Sequence, residues 1–268
     1  MHSYNKADQL LHLLSQVIAK TNRAFVPAKE DDSHTNLSFD RLSSRIVGRW
    51  INSPKGNVML SLNLFTLDFE WLEGAFNVIQ TVPSVGKSIE EIEQGIVKSL
   101  SEMGLESTGF QENLHFEIPV YSVTDKLIPS LGIDEISDWI YYRKLANEAS
   151  EFALGMLNAN EDIRIWPHHF DTGIYALAEN KIGIGFGLTM EDSLAGEPYF
   201  YISGYPAGSK SINYDEVPEL KAGQWELGEF WKGAVLPISM VDSNNEADAI
   251  NTIATFIEEV VGWFGKQD

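Results

Sequence analysis

Two histidines, a tryptophan and a carboxylate fall within six residues at Trp166-Pro167-His168-His169-Phe170-Asp171. Imidazole nitrogen and carboxylate oxygen are the ligands that suit zinc, nickel or iron, and the same pair serves acid/base chemistry. Taken as a strand, the segment places side chains on alternate faces. Trp166, His168 and Phe170 then share one face, and Pro167, His169 and Asp171 share the other. His169 and Asp171, two residues apart, form a candidate metal pair, and the cofactor this implies is a divalent transition metal. A bound ion there would activate water, with His34, His12 or Glu197 as further ligands from a distance. The competing reading gives the same residues structural work, with His168 among aromatic rings and Asp171 capping a turn. Pro167 donates no ladder hydrogen bond, so the segment is expected at a sheet edge or a bulge.

Other residues carry candidate chemistry. Arg41, Arg45 and Arg49 are half of all the arginines in the chain. On one strand face they would form a row of guanidinium groups suited to a carboxylate or phosphate, or they would pair with neighbouring Asp and Glu. Tyr199 and Tyr201 face together on a further strand. With Trp166, Phe170, Trp225 and Trp231 they would line an apolar pocket or a dimer interface. Gly183, Gly185 and Gly187 alternate through Lys181–Leu188 and leave one strand face as bare backbone, open to a ring, a helix or a ligand. The spacing GxGxG, with no helix after it, is not a dinucleotide fingerprint. No GxSxG occurs.

Composition limits the chemistry further. The chain has 268 residues, no cysteine, and 19 basic against 39 acidic residues, for a net charge of -20. Thiolate metal sites, disulfides and cysteine nucleophiles are excluded. The charge repels phosphate backbones and anionic lipid, so nucleic acid and membrane are not expected partners. No apolar leader and no run of 18 apolar residues is read in the sequence, and the expected compartment is the cytoplasm. The expected partners are a small molecule and a second copy of the chain.

The elements that must position these residues follow from periodicity. Residues 5–25 read as a helix with Leu10, Leu13, Leu14, Val17 and Thr21 on its apolar face. His12, Gln16, Lys20 and Arg23 form a polar stripe, read as a solvated face or as the lining of a pocket. Strands are expected over 37–51, 58–71, 113–120, 166–171, 181–188, 197–202 and 230–240. A helix over 88–103 opens with the capping box Ser88/Glu91 and closes at Gly104. Further helices cover 135–158 and 244–264, the last with a capping box at Ser243/Glu246. Residues 205–229 form a long loop, of the kind that is functional or mobile.

With Phe39-Asp40 laid on Phe170-Asp171, residues 1–130 and 131–268 each read as helix, strands, then capped helix. The expected fold is α+β: a single globular unit over 1–268, internally pseudo-duplicated, with antiparallel sheets and helices packed on one side.

The run Leu11-His12-Leu13, then Gln16, then Ala19-Lys20, resembles the N-terminal pattern of a bacterial family of unknown function. Its members read Leu-His-Leu, Gln, then Gly-Lys, and carry a second-half segment similar to Trp166–Asp171. Glu197-Pro198-Tyr199-Phe200-Tyr201 is similar as well. The chain departs at Ala19, where the family has glycine, and at 33–36, where it has more aromatics. The resemblance implies a shared fold and housekeeping status and brings no activity with it. Two functions follow: a protein that binds a small molecule or anion in an aromatic- and His-lined pocket, or a metal-dependent hydrolase that uses the 166–171 histidines.

Overall fold

A computed structural model describes residues 2–208, 211–242 and 244–267. Two compact units divide the chain. The N-terminal unit comprises His2–Ile140 and Ile165–Phe170; the C-terminal unit comprises Tyr141–Arg164 and Asp171–Asp268. The fold is α+β, with two antiparallel six-stranded sheets. The first unit runs to Ile140, and the segment 165–170 belongs to it.

The N-terminal unit opens with α1 (His2–Phe25). Its strands are β1 (Ser38–Asp40), β2 (Arg45–Val47), β3 (Ile51–Ser53), β4 (Gly56–Asn63), β5 (Phe69–Glu73) and β6 (Val78–Val82). They run in the order β1-β2-β4-β5-β6, with β3 also on β4. Helices α2 (Ile89–Met103) and α3 (Thr108–Gln111) follow. The Ser88/Glu91 capping box forms as expected, and Gly104 ends α2 at φ 78°. The buried Trp71 donates its indole N–H to Ser99 Oγ at 2.8 Å, tying β5 to α2. Gly48 lets α1 come close, because a Cβ there would lie 2.6 Å from Asn22 Oδ1.

Several expected strands break for local reasons. The stretch 37–51 is interrupted at 41–44, where the Asp40 carboxylate accepts from Leu42 N, Ser43 N and Ser43 Oγ and folds the chain into a turn. Leu42 is consequently 97% exposed instead of facing the core with Ile46. Asn63 Oδ1 likewise accepts from Phe65 N and ends β4. Residues 113–120 form no strand. The Arg23 guanidinium takes the carbonyls of Gly109, Glu112 and Asn113, so the chain leading into this stretch is held by a side chain and not by a ladder.

Helix α4 (Ile133–Leu157) gives Ile133–Ile140 to the N-terminal unit and the rest to the C-terminal unit. There the strands are β8 (Thr172–Leu177), β9 (Ile182–Thr189), β10 (Tyr199–Pro206), β11 (Gln224–Leu227) and β12 (Lys232–Pro237); the two-residue β7 (Arg164–Ile165) gives Arg164 to this unit and Ile165 to the other. The order is β11-β12-β10-β9-β8, with β7 at the edge. Helix α5 (Glu246–Phe264) packs on β10 and β12 and buries Ile253, Phe256, Ile257 and Val260. Its N-cap is Asn245, whose side chain accepts from Asp248 N; the expected cap Ser243 lies outside the described residues. Part of the 205–229 stretch is β11, and Tyr214 and Trp225 fasten it to α5, with Trp225 4.7 Å and Tyr214 5.4 Å from the Trp263 ring centroid. No helix among the described residues is long and apolar enough to cross a membrane.

Strand β9 shows why its glycines alternate. Its even positions Ile182, Ile184, Phe186 and Leu188 are fully buried. On the other face a Cβ at Gly187 would lie 3.1 Å from the Tyr201 ring, one at Gly185 3.1 Å from the Tyr205 ring, and one at Gly183 2.2 Å from the Tyr175 hydroxyl. Three tyrosine rings therefore rest on three glycines. Register places Tyr175 opposite Gly185 and Tyr205 opposite Gly183. Each ring leans diagonally onto the other's glycine, a reach that long aromatic side chains make across a ladder. A different constraint acts at Gly173, where an added Cβ would lie 2.0 Å from the Phe186 carbonyl oxygen, which is backbone and does not give. Gly173→Ala is expected to lower unfolding stability by about 3 kcal/mol and Gly183→Ala by about 1 kcal/mol or less, since only a side-chain end must move in the second. Urea denaturation of both variants checks this, and equal losses would contradict the packing described.

Candidate functional site

The 166–171 segment is a turn, not a strand. Residues 167–169 are turn, and Phe170 N donates to Trp166 O at 2.7 Å. Phe170 adopts φ 58°, a left-handed conformation that reverses the chain. The expected alternation of faces is lost: Phe170 and Asp171, neighbours in sequence, are both buried, while His169 is exposed and His168 half-buried.

In the N-terminal unit this turn is held by α1. His12 is 1% exposed. Its Nε2 lies 2.9 Å from Pro167 O, which only accepts, so Nε2 carries a proton. Its Nδ1 lies 2.6 Å from the Tyr121 hydroxyl. Burial, and then the Asp8 charge, hold the Tyr121 phenol well above its ordinary value, so Tyr121 is the donor and His12 Nδ1 the acceptor. Gln16 Nε2 adds a second hydrogen bond to Pro167 O at 2.8 Å. The His12 ring stacks on Phe170 (5.1 Å, 10°), Phe170 on Trp139 (6.0 Å), and Trp139 meets Phe39 edge-on at 5.5 Å. Trp139 donates to Asp8 Oδ1 at 2.8 Å. The polar stripe of α1 is therefore neither solvated nor a pocket lining at His12: both ring nitrogens are engaged in holding a carbonyl and a phenol.

The other expected site residues of this unit also have structural partners. Arg45 binds the Glu70 carboxylate at 2.7 Å. Arg49 donates to Asn36 O at 3.1 Å, and Arg41 stands in the 41–44 turn, so the three arginines do not share a strand face. His34 Nδ1 accepts from Lys29 N. Trp166 is half-buried. The His168 ring lies 5.6 Å from Phe116 and 4.4 Å from His169. No three metal-ligating side chains converge among the described residues.

In the C-terminal unit Asp171 stands at the start of β8, 7% exposed. Its Oδ2 accepts from the Tyr201 hydroxyl at 2.5 Å, and its Oδ1 has no hydrogen-bond partner among the described residues. Tyr199, two residues along the same face, donates to Asp192 Oδ2 at 2.8 Å. Burial first, then the charge and hydrogen bond of Asp171, then Tyr205 and Tyr199, hold the Tyr201 phenol well above 10.0. Tyr199 is raised by burial and by Asp192. Next along the face stand Tyr205 (45% exposed) and Tyr175 (47% exposed), ring centroids 5.8 Å apart. Sequence reading found Asp171, Tyr199, Tyr201 and the glycines, but neither Tyr175 nor Tyr205. The signal for those two was the glycine alternation itself, which calls for large rings on the flanking strands. Trp225 packs against α5, Trp231 covers Gly233, and Glu197 accepts from Ser239, so these three stand apart from the tyrosine row.

No protein-family model matches the chain, and comparisons with curated proteins and with solved structures give no match.

A phenol held protonated by the fold contributes stability that is intact below its unfolded value near pH 10 and is lost as pH rises toward the higher folded value. Unfolding free energy is therefore expected to fall above about pH 10, and to fall less steeply in Tyr201→Phe. Absorbance at 295 nm should show only part of the nine tyrosines ionising before the protein unfolds. Ionisation of all nine together in the folded protein would contradict the burial described.

Proposed function

We propose that this chain is a small-molecule-binding protein and that the tyrosine face of the C-terminal unit holds the ligand. The observation that carries this reading is Asp171. A buried carboxylate costs stability unless its lone pairs are met, and here one oxygen is met by Tyr201 while the other has no partner among the described residues. Groups left in that condition concentrate at binding sites. The surroundings fit a ligand. The glycines seat three tyrosine rings, and two of these, Tyr175 and Tyr205, keep nearly half their surface toward solvent. The C-terminal unit also has an apolar groove between α4 and α5, floored by Leu145, Ala149 and Ile257. It offers little polar chemistry to orient a ligand, which favours the tyrosine face. The anion reading is the weaker one, because Arg45 is committed to Glu70.

The test is a screen of small ring compounds against protein labelled at its tyrosine rings. Binders are expected to shift the Tyr175, Tyr201 and Tyr205 resonances, and Tyr205→Ala to weaken them about threefold to tenfold, the worth of one ring contact. Binders that leave these resonances in place and move those of Phe152 in the α4–α5 groove would overturn the assignment, as would a screen with no binder.

A further inference from the structure

Resting on that reading of the tyrosine face, we infer that its ligand is an organic cation bearing N–H donors, a primary amine or a guanidine, whose charged group binds Asp171 Oδ1 while its body lies along the tyrosine rings.

Four independent features point to this class. The first is the bonding capacity left at Asp171. Oδ1 is an acceptor, and the donor that best complements a buried carboxylate oxygen is a charged N–H group. Tyr201 already occupies Oδ2, at 2.5 Å. The second is that Tyr201 is a neutral donor, its phenol held protonated by burial first and then by Asp171, so its hydrogen bond brings no positive charge to the carboxylate.

The third feature is the ring surface. Tyr175 and Tyr205 present half-exposed faces, and the negative face of an aromatic ring attracts a cation. Gly183 and Gly187 are four strand residues apart, about 13 Å, and the rings cover that span, so a ligand body along the row lies over the rings. Asp192, bound to the Tyr199 hydroxyl on the same face, adds a second negative group near the Asp171 end. The fourth is the field of the chain. A net charge of -20 concentrates cations at the surface and repels anions.

The test uses matched probes and the full chain. Benzylamine and benzyl alcohol have the same ring and differ in the cationic head. At about neutral pH, benzylamine is expected to shift the Tyr201 and Tyr205 ring resonances with at least about tenfold tighter affinity than benzyl alcohol, the worth of one charge-assisted hydrogen bond. Agmatine should bind at the same resonances. Asp171→Asn keeps an acceptor for Tyr201 and removes the charge, so it should bring the two benzyl compounds to nearly equal affinity. Tyr205→Leu removes a ring face that attracts the cation, so it should weaken benzylamine more than benzyl alcohol, and it serves as the independent variant if Asp171→Asn fails to fold. Equal affinity of benzylamine and benzyl alcohol for the unaltered protein, at these same tyrosines, would overturn the cation class and leave the site standing. No shift of these tyrosines by either compound or by agmatine at millimolar concentration would overturn the class and count against the site as well.

Discussion

The hydrogen bond from Tyr201 to Asp171 is where the constraints on the C-terminal unit meet. A carboxylate at the start of β8 is taken out of water, and one of its oxygens is met by a phenol from β10, two strands away. That phenol reaches it only because the ring crosses β9 over Gly187, where any side chain would push it off. The glycine alternation, the diagonal seats of Tyr175 and Tyr205, and the paired Tyr199 and Asp192 extend the same arrangement along the face. The apolar half of β9 is free to bury Phe186 and Leu188 beneath. One strand therefore serves two purposes, a core on one side and a ring-bearing surface on the other, because its residues alternate between branched or aromatic side chains and none.

In the N-terminal unit a histidine and an amide hold the turn. His12, Gln16, Tyr121 and Pro167 form a closed set in which each named donor has an acceptor, and aromatic stacking from His12 through Phe170 and Trp139 to Phe39 fills the space around it. Two donors on Pro167 O and the stacked rings around them fix one geometry for the 166–170 turn. The residues with the most suggestive sequence, two histidines between a proline and a phenylalanine, owe their conformation to a histidine about 150 residues earlier in the chain.

What could be read from the sequence followed from local rules. The Ser88/Glu91 box, the left-handed Gly104 and the amphipathic stripe of α1 each depend on residues within a few positions of one another, and all three stand in the structure. The glycine alternation was read correctly as a bare face, but what covers it was set by register with β8 and β10, which no local pattern contains. The strand expected at 166–171 failed because Phe170 takes a positive φ, and nothing in its side chain announces that. Arg41, Arg45 and Arg49 looked like a row because a continuous strand was assumed; Asp40 breaks it with side-chain hydrogen bonds to the next residues. His12 read as a surface group because a polar stripe on an amphipathic helix is ordinarily wet, and its partners lie far away in sequence. Asp171 was picked out for its spacing from His169, but its significance in the folded chain is its bond to Tyr201.

The most direct test of this account is a proton NMR spectrum of the folded protein in which the Tyr201 hydroxyl is sought. A slowly exchanging, strongly downfield hydroxyl proton, absent in Tyr201→Phe, together with cross-relaxation between the Tyr201 ring protons and the Gly187 α-protons, is the result the structure predicts. A rapidly exchanging hydroxyl, or a Tyr201 ring that shows no contact with Gly187, would contradict it and remove the basis for the ligand site.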